Sequence, residues 1–504
     1  MRRLHFIGLL ALVACSANLP ARVAPAPLAS SSGAPVASSA PARVVEPWAR
    51  QRFTAWLEAF NSHDRAKIRA FHLENIAPGM TPSDVDRFVD HDLHVGNIAG
   101  ALDLAKTESD TPTRFQAVLK AHDFDLFARM VVEAGEDEPH RAVSLHLEPI
   151  AMPADLLPQR AASDSEVLQA MQQRIDAAVA DDRFAGAVLV AKNGAPLLAR
   201  AYGLADRERK IPNELATRFR IGSMNKMFTA VAILQLVQAK KLSLADTLGK
   251  LVPDYPNKNV ATKVTVENLL SHTGGTGDIF GPEFDAHRAT LRTLNDYVKL
   301  YGNRDLEFEP GSRWDYSNYG FILLGVIIEH VTGRSYYEWV ASHVFKPAGM
   351  TSTDSLPEDQ AVARRSVGYT KPGAATTWES NASNLPYRGT PAGGGYSTVE
   401  DLLRFANALR DHKLLDAEHT ALLTTGKTEV GVEGARYAYG FDDVTLSGVR
   451  CVGHDGGAPG MNGDLAICDS GYTIAVLSNL DPPAAQRVSD FVRLRLPPGP
   501  ASPK

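Results

Sequence analysis

Ser223 and Lys226 stand three residues apart at the head of an apolar run that reaches Val237. A hydroxyl and an amine at that spacing share one face of a helix, and they make a nucleophile beside a group able to take its proton. Within the run, Phe228, Val231, Leu234 and Val237, with Met227, Ala230 and Ile233 beside them, predict a helix buried on most faces. Ser223 is then expected in the first turn, where free backbone N–H groups and the positive dipole end favour a developing oxyanion. Ser-x-x-Lys is short enough to arise by chance, as a capping serine and a solvated lysine, so its weight depends on what the rest of the chain supplies.

Two further groups supply it. Tyr316-Ser317-Asn318 lies between a Pro310-Gly311 turn and the apolar run Phe321 to Ile328. There a phenol can shuttle a proton while an amide clamps a substrate. The same Tyr-x-Asn spacing recurs at Tyr255/Asn257 and Tyr301/Asn303, where an intervening proline or glycine reads as a turn. His454-Asp455-Gly456-Gly457 precedes two runs that read as strands, Leu465 to Cys468 and Tyr472 to Leu477. Glycines at a strand edge let a substrate approach backbone donors closely. Taken alone, the His454 group reads equally as a loop tip with a solvated histidine.

In this order the three groups resemble those of the serine β-lactamase/penicillin-binding-protein superfamily. Its members span class C β-lactamases, D-alanyl-D-alanine carboxypeptidases, and related esterases and D-amino-acid peptidases. The resemblance covers about residues 165 to 495 and includes Leu269-Leu270-Ser271-His272-Thr273-Gly274-Gly275, residues 345–351, and the stretch Pro391 to Asp401. It implies an antiparallel sheet flanked by helices with a helical portion beside it. By motif it makes Ser223 the nucleophile, Lys226 and Tyr316 its proton acceptors, and Asn318, His454, Gly456 and Gly457 substrate-binding residues. The oxyanion would lie between the N–H groups of Ser223 and Gly457.

One position departs from the pattern. His454 stands where β-lactamases and transpeptidases usually carry a lysine, and histidine offers no permanent cation to a substrate carboxylate. Esterases and D-peptidases of the superfamily often show histidine there, which makes efficient β-lactam hydrolysis the less expected activity. A conventional Ser-His-Asp hydrolase lacks its nucleophile elbow here, because Ile221 and Asn225 occupy the glycine positions of Gly-x-Ser-x-Gly. His272 is expected to brace a loop.

These groups must be positioned by a chain of 504 residues, 44% apolar and 22% charged, long enough for two or three domains. A net charge of -6 and the absence of a basic run argue against nucleic acid. Residues 1–15 show a basic start, a short apolar core and Leu12-Val13-Ala14-Cys15, which resembles the bacterial lipoprotein box. Cys15 would be the lipid attachment point, with Ser16 favouring the outer membrane and a plain signal peptide as the alternative. Residues 16–46, nearly all Ala, Pro, Ser and Val, read as an extended tether.

Residues 47–150 read as a small α+β domain of helices followed by antiparallel strands, similar to the cone-shaped nuclear-transport-factor-2-like group at Trp56 to Asp64. Its histidines show no metal spacing and are expected at the surface. A linker over 151–165, the hydrolase domain over 166–495 and a tail over 496–504 complete an α+β, multi-domain chain. With Cys15 lipidated, Cys451 and Cys468 remain on strands flanking the His454 group, so a cross-strand disulfide is expected, with two buried thiols as the alternative. Cys451, an odd step from His454, should point away from the cleft.

The sequence therefore predicts a lipid-anchored, periplasm-facing serine hydrolase of the bacterial envelope. It would act through an acyl-enzyme on a small ester or D-amino-acid-containing peptide or amide. A β-lactamase or D-alanyl-D-alanine carboxypeptidase is the narrower alternative, and a non-catalytic envelope binding protein of the same fold is the alternative of another class. No metal or cofactor is called for.

Overall fold

The computed structural model describes residues 47–76, 81–137, 139–372, 375, 377–432 and 434–497. Cys15, the 16–46 stretch and most of the 496–504 tail lie outside the described residues. The chain divides into two compact units between Met152 and Pro153.

The first unit places helices α1 (Trp48–Asn61), α2 (Arg65–Asn75) and α3 (Pro82–Ala99) before strands β1 (Leu102–Asp110), β2 (Arg114–Ala121), β3 (Phe127–Ala134) and β4 (Ala142–Ile150). The strands pair antiparallel in chain order. Side chains satisfy the free N–H groups where α2 and α3 begin. Asp64 accepts from Ala66 N and Lys67 N, and Thr81 and Asp84 form a reciprocal capping box with Pro82 in the first turn. Phe53, Trp56, Phe60 and Phe115 fill the interior. One expectation fails: His72 is buried, and its Nε2 donates to Asp92 at 3.0 Å, where Trp56 Nε1 also donates. A buried carboxylate needs such donors; burial pushes Asp92 up, and the contacts with His72 and His91 hold it below its usual range.

In the second unit, α4 (Asp164–Ala180) precedes the hairpin β5 (Gly186–Lys192) and β6 (Ala195–Tyr202), whose turn is Asn193-Gly194. Helix α5 (Asn225–Gln238) follows. The regular elements from there to Ala348 are helical, among them α6 (Asn318–Thr332), and α7 (Val399–Arg410) comes later. The chain then lays down β7 (Thr428–Glu429), β8 (Ala435–Tyr437), β9 (Asp442–Leu446), β10 (Val449–Ala458), β11 (Met461–Cys468) and β12 (Tyr472–Ser478), and ends in α8 (Ala484–Arg495). The eight-stranded sheet runs β7-β8-β9-β10-β11-β12-β5-β6, antiparallel at every pair.

Both faces of the sheet are covered, which explains why β5 and β12 are buried along their length rather than alternating. On one face Val188, Val190, Ile474 and Val476 pack with Met171 and Ile175 of α4 and Val488 and Val492 of α8. On the other, Leu189, Ala475 and Leu477 pack with Phe228 of α5 and Phe405 of α7. Ala161 and Leu496 join the first of these clusters, and Ala161 N donates to Arg495 O.

The Cys451 and Cys468 sulfurs are bonded, joining directly opposed residues of β10 and β11. Cys451 lies in the cluster on the α4 and α8 side, as the odd step from His454 requires. We predict that the chain from Glu46 onward, denatured without reductant, has no titratable thiol. Two titratable thiols would refute the bond. Breaking this link, whose ends are 17 residues apart, should lower stability by about 2–3 kcal/mol in denaturant titration.

Candidate active site

Ser223 is placed by a short pairing and a sharp turn. Phe219-Arg220 pairs antiparallel with Tyr396-Ser397, and Ile221 N donates to Gly395 O at 2.8 Å. The chain then makes a 3-10 turn over Gly222–Met224, and α5 begins only at Asn225. The serine thus sits just before the long helix rather than in its first turn. Gly222 has φ +51°, a left-handed conformation that glycine adopts without penalty.

Lys226, fully buried, points its Nζ at three oxygens: Ser223 Oγ at 3.2 Å, Asn318 Oδ1 at 2.8 Å and Ala392 O at 2.6 Å. Its ammonium also stands 4.6 Å from the centre of the Tyr316 ring. Burial brings its pKa down to about 7, although Asp278, Asp455 and Asp442 pull the other way. No nearby cation is needed for this.

Tyr316 is buried as well, and burial raises its phenol well above the ordinary value despite a hydrogen bond with Ser223. It is a neutral phenol at neutral pH. His272 fixes it from behind: the imidazole lies 4.2 Å from the Tyr316 ring, accepts from Ser317 N at 3.0 Å through Nδ1, and its carbonyl accepts from Asp315 N. The expected loop brace is therefore a brace for the tyrosine itself. The competing Tyr-x-Asn sites are core packing. Tyr255 Oη meets Tyr319 Oη at 3.2 Å, and Tyr301 donates to Ile279 O.

Asn318, read from its motif as a substrate-binding residue, is held by protein groups at both ends of its amide. Its carbonyl faces Lys226, and its amide nitrogen donates to Asp278 Oδ1 at 2.9 Å. Asp278, which no sequence motif marks, orients Asn318 and through it the lysine.

His454 is not on a loop. It belongs to β10, which continues to Ala458 before the turn into β11. The side chain is 2% exposed, and both ring nitrogens are taken. Nδ1 donates to the Asp455 carbonyl at 2.5 Å, which leaves Nε2 to accept from Tyr437 Oη at 3.1 Å. Burial, with the Lys226 charge, lowers the imidazole pKa to about 3, so it is neutral. Tyr437 escaped notice in the sequence. Its one signal is its place in the aromatic run Tyr437-Ala438-Tyr439-Gly440-Phe441.

On the other face of this strand Asp455 is buried with Asp464 of β11, beside the half-buried Asp442 of β9, and all three are shifted upward by desolvation, Asp442 to about 7. Oxygen and nitrogen atoms of Asp442, His454 and Asp455 come within 4.8 Å of one another. With both His454 nitrogens occupied by protein groups, that cluster is not presented as a ligand set.

Gly456 and Gly457 bring the β10 backbone against the serine turn. A β-carbon on Gly456 would stand 1.9 Å from Ile221 O and 3.0 Å from Ser223 N, and one on Gly222 would stand 2.8 Å from Gly457 N. Any side chain at either place would force the two segments apart. β9 pairs with β10 only as far as Gly453, so residues 454–458 run past its end beside the serine. The structure thus gathers Ser223, Lys226, Tyr316, Asn318, His454, Gly456 and Gly457 at one place.

Comparison with known proteins agrees with this arrangement. A family model described as Beta-lactamase matches residues 171–496. The putative penicillin-binding protein PbpX of Bacillus subtilis (strain 168) is 30% identical over 306 residues, 60% of this chain and 73% of that one. The matches to further curated relatives span 63% of their length. Among solved structures, the penicillin binding protein from Bacillus halodurans superposes with a TM-score of 0.58 at 32% identity, covering 63% of this chain and 98% of that one. A D-stereospecific amidohydrolase from Streptomyces sp. does so with 0.56 at 30% identity, covering 64% and 97%. With the family match extending over more than half of its length and the three motif groups meeting at one place, this chain belongs to the beta-lactamase family.

Proposed function

We propose that the protein is a serine hydrolase that acts through an acyl-enzyme at Ser223 on an ester or amide whose reacting end carries no carboxylate. The observation that carries this is the setting of Lys226. A neutral amine has two N–H bonds and one lone pair. Asn318 Oδ1 and Ala392 O, both carbonyl acceptors, take the two hydrogens, so the lone pair is left for the Ser223 hydroxyl. Attack by Oγ then passes its proton to Nζ, and the neutral Tyr316 phenol relays a proton to the leaving group. Water repeats the sequence in deacylation. The N–H groups of Ser223 and Gly457 receive the negative oxygen.

The state of His454 supports the substrate class. A neutral imidazole with both nitrogens engaged by protein offers no charge to an anionic group. Likeness to a D-stereospecific amidohydrolase supports an amide with a D-configured residue. Likeness to penicillin-binding proteins keeps β-lactam acylation as the second reading. Placement in the cell envelope through a lipid on Cys15 is proposed from the lipoprotein-like sequence alone.

A short-chain p-nitrophenyl ester should give the chain from Glu46 onward a burst near one equivalent followed by turnover, both absent in Ser223→Ala. Equal slow release from both proteins would instead favour a binding role. Acylation should fall as pH drops through about 7, because protonated Lys226 has no lone pair for the serine. A rate of acylation that stayed level as pH fell through about 7 would remove Lys226 from the role of base. Nitrocefin, which carries a carboxylate, should be turned over about 100-fold less efficiently than a neutral ester, as is usual where a site lacks the partner for a polar group. Comparable kcat/KM values would overturn the assignment to carboxylate-free substrates.

A further inference from the structure

The second oxyanion donor has a role only if the proposed acyl-enzyme route through Ser223 holds, and its strength then depends on how one peptide plane is turned. That plane joins Gly456 to Gly457, which pair with Gly463 and Asn462 in the β10/β11 ladder, and Asn462 adds a side-chain hold to the one the ladder supplies. Gly456 O accepts from the side-chain amide nitrogen of Asn462 at 2.9 Å. The other end of the same amide, Asn462 Oδ1, accepts from Ala485 N in the first turn of α8 at 2.6 Å. Asn462 is fully buried and lies directly across from Gly457 in the β10/β11 register.

In a trans peptide the carbonyl of one residue and the N–H of the next point in opposite directions. Fastening Gly456 O toward Asn462 on β11 turns Gly457 N–H away from β11. That is the side where β10 has outrun β9 and where the Gly222-Ser223 turn lies against Gly457 N. Because Ala485 N holds the Asn462 carboxamide at its oxygen end, the nitrogen end is left with one orientation, toward Gly456. The amide is a rigid strut between the N-terminus of α8 and the oxyanion peptide.

We propose that Asn462 is a positioning residue for the reaction: through Gly456 O it aims the Gly457 N–H at the oxygen that becomes negative when Ser223 attacks. It touches no substrate. Its effect should therefore appear in the rate of acylation and in the polarisation of the acyl carbonyl, and much less in ground-state binding.

The test compares three variants of the protein. Asn462→Leu and Asn462→Ala remove the strut. Ala485→Pro removes the N–H that holds Asn462 Oδ1 and puts a ring carbon in its place, so it disturbs the strut from its α8 end. Each is followed through the p-nitrophenyl ester burst and through the infrared stretch of a carbon-13-labelled carbonyl in the trapped acyl-enzyme. Both Asn462 variants should acylate about 10- to 100-fold more slowly, somewhat less than the loss from deleting an oxyanion donor outright. Half-saturation should change little, and the carbonyl band should move to higher frequency.

Ala485→Pro should slow acylation and move the band in the same direction, by less than the Asn462 variants do. Folded Asn462 variants with native rate and band would overturn the proposal. So would an Ala485→Pro variant with native rate and band, because the α8 end of the amide would then orient nothing. Failure of both Asn462 variants to fold would make the residue a determinant of the sheet, and the proposal would fall. Should Ser223→Ala retain the burst, the acyl-enzyme route itself fails. A burst lost in Ser223→Ala and unimpaired in Asn462→Leu condemns only the role of Asn462.

Discussion

The site depends on keeping one amine away from water. An ammonium in bulk solvent holds its proton, and a serine beside it gains nothing. Here α5 and α6 are buried almost all round, and Lys226 has no exposed surface. The carboxylates within range favour the charged form, so desolvation prevails against an opposing field. The balance is a narrow one. It leaves the amine within reach of both protonation states near neutrality, as acid-base work requires.

The surrounding elements can be understood as means to that burial. Asp278 fixes Asn318, and Asn318 with Ala392 fixes the amine. His272 supports the Tyr316 ring and its neighbouring backbone, while Tyr437 closes off His454. These contacts are directional and short, and they join residues far apart in the chain. Polar groups placed so deep must all find partners, and the partners define the geometry.

Much of this is legible in spacing and context. Ser223 and Lys226 announce themselves because the apolar run after them fixes a helical phase, and Tyr316 stands out from its two rivals because a turn and a buried helix flank it. The hairpin at Asn193-Gly194 and the cap at Thr81 follow from local chemistry, so they are readable too. β1 is not. It is an outer strand with bulges and mostly exposed polar side chains, and it lacks the apolar alternation that identifies a strand. His454 reads as a loop residue because Gly453, Gly456 and Gly457 weaken the strand signal, although close approach to the serine turn is what requires glycine at Gly456. Asp278 and Asn462 carry no local mark, and Tyr437 only its place in an aromatic run. Their importance arises only when the fold brings distant segments together.

β10 divides its labour by parity. Successive side chains face opposite sides of the sheet, so Cys451 is committed to the covalent anchor on the α4 and α8 side while His454 faces the cleft. An exchange at position 454 therefore leaves the anchoring residues where they are. A scaffold built in this way can trade a cation for a neutral ring at position 454 without renegotiating the strand that carries both.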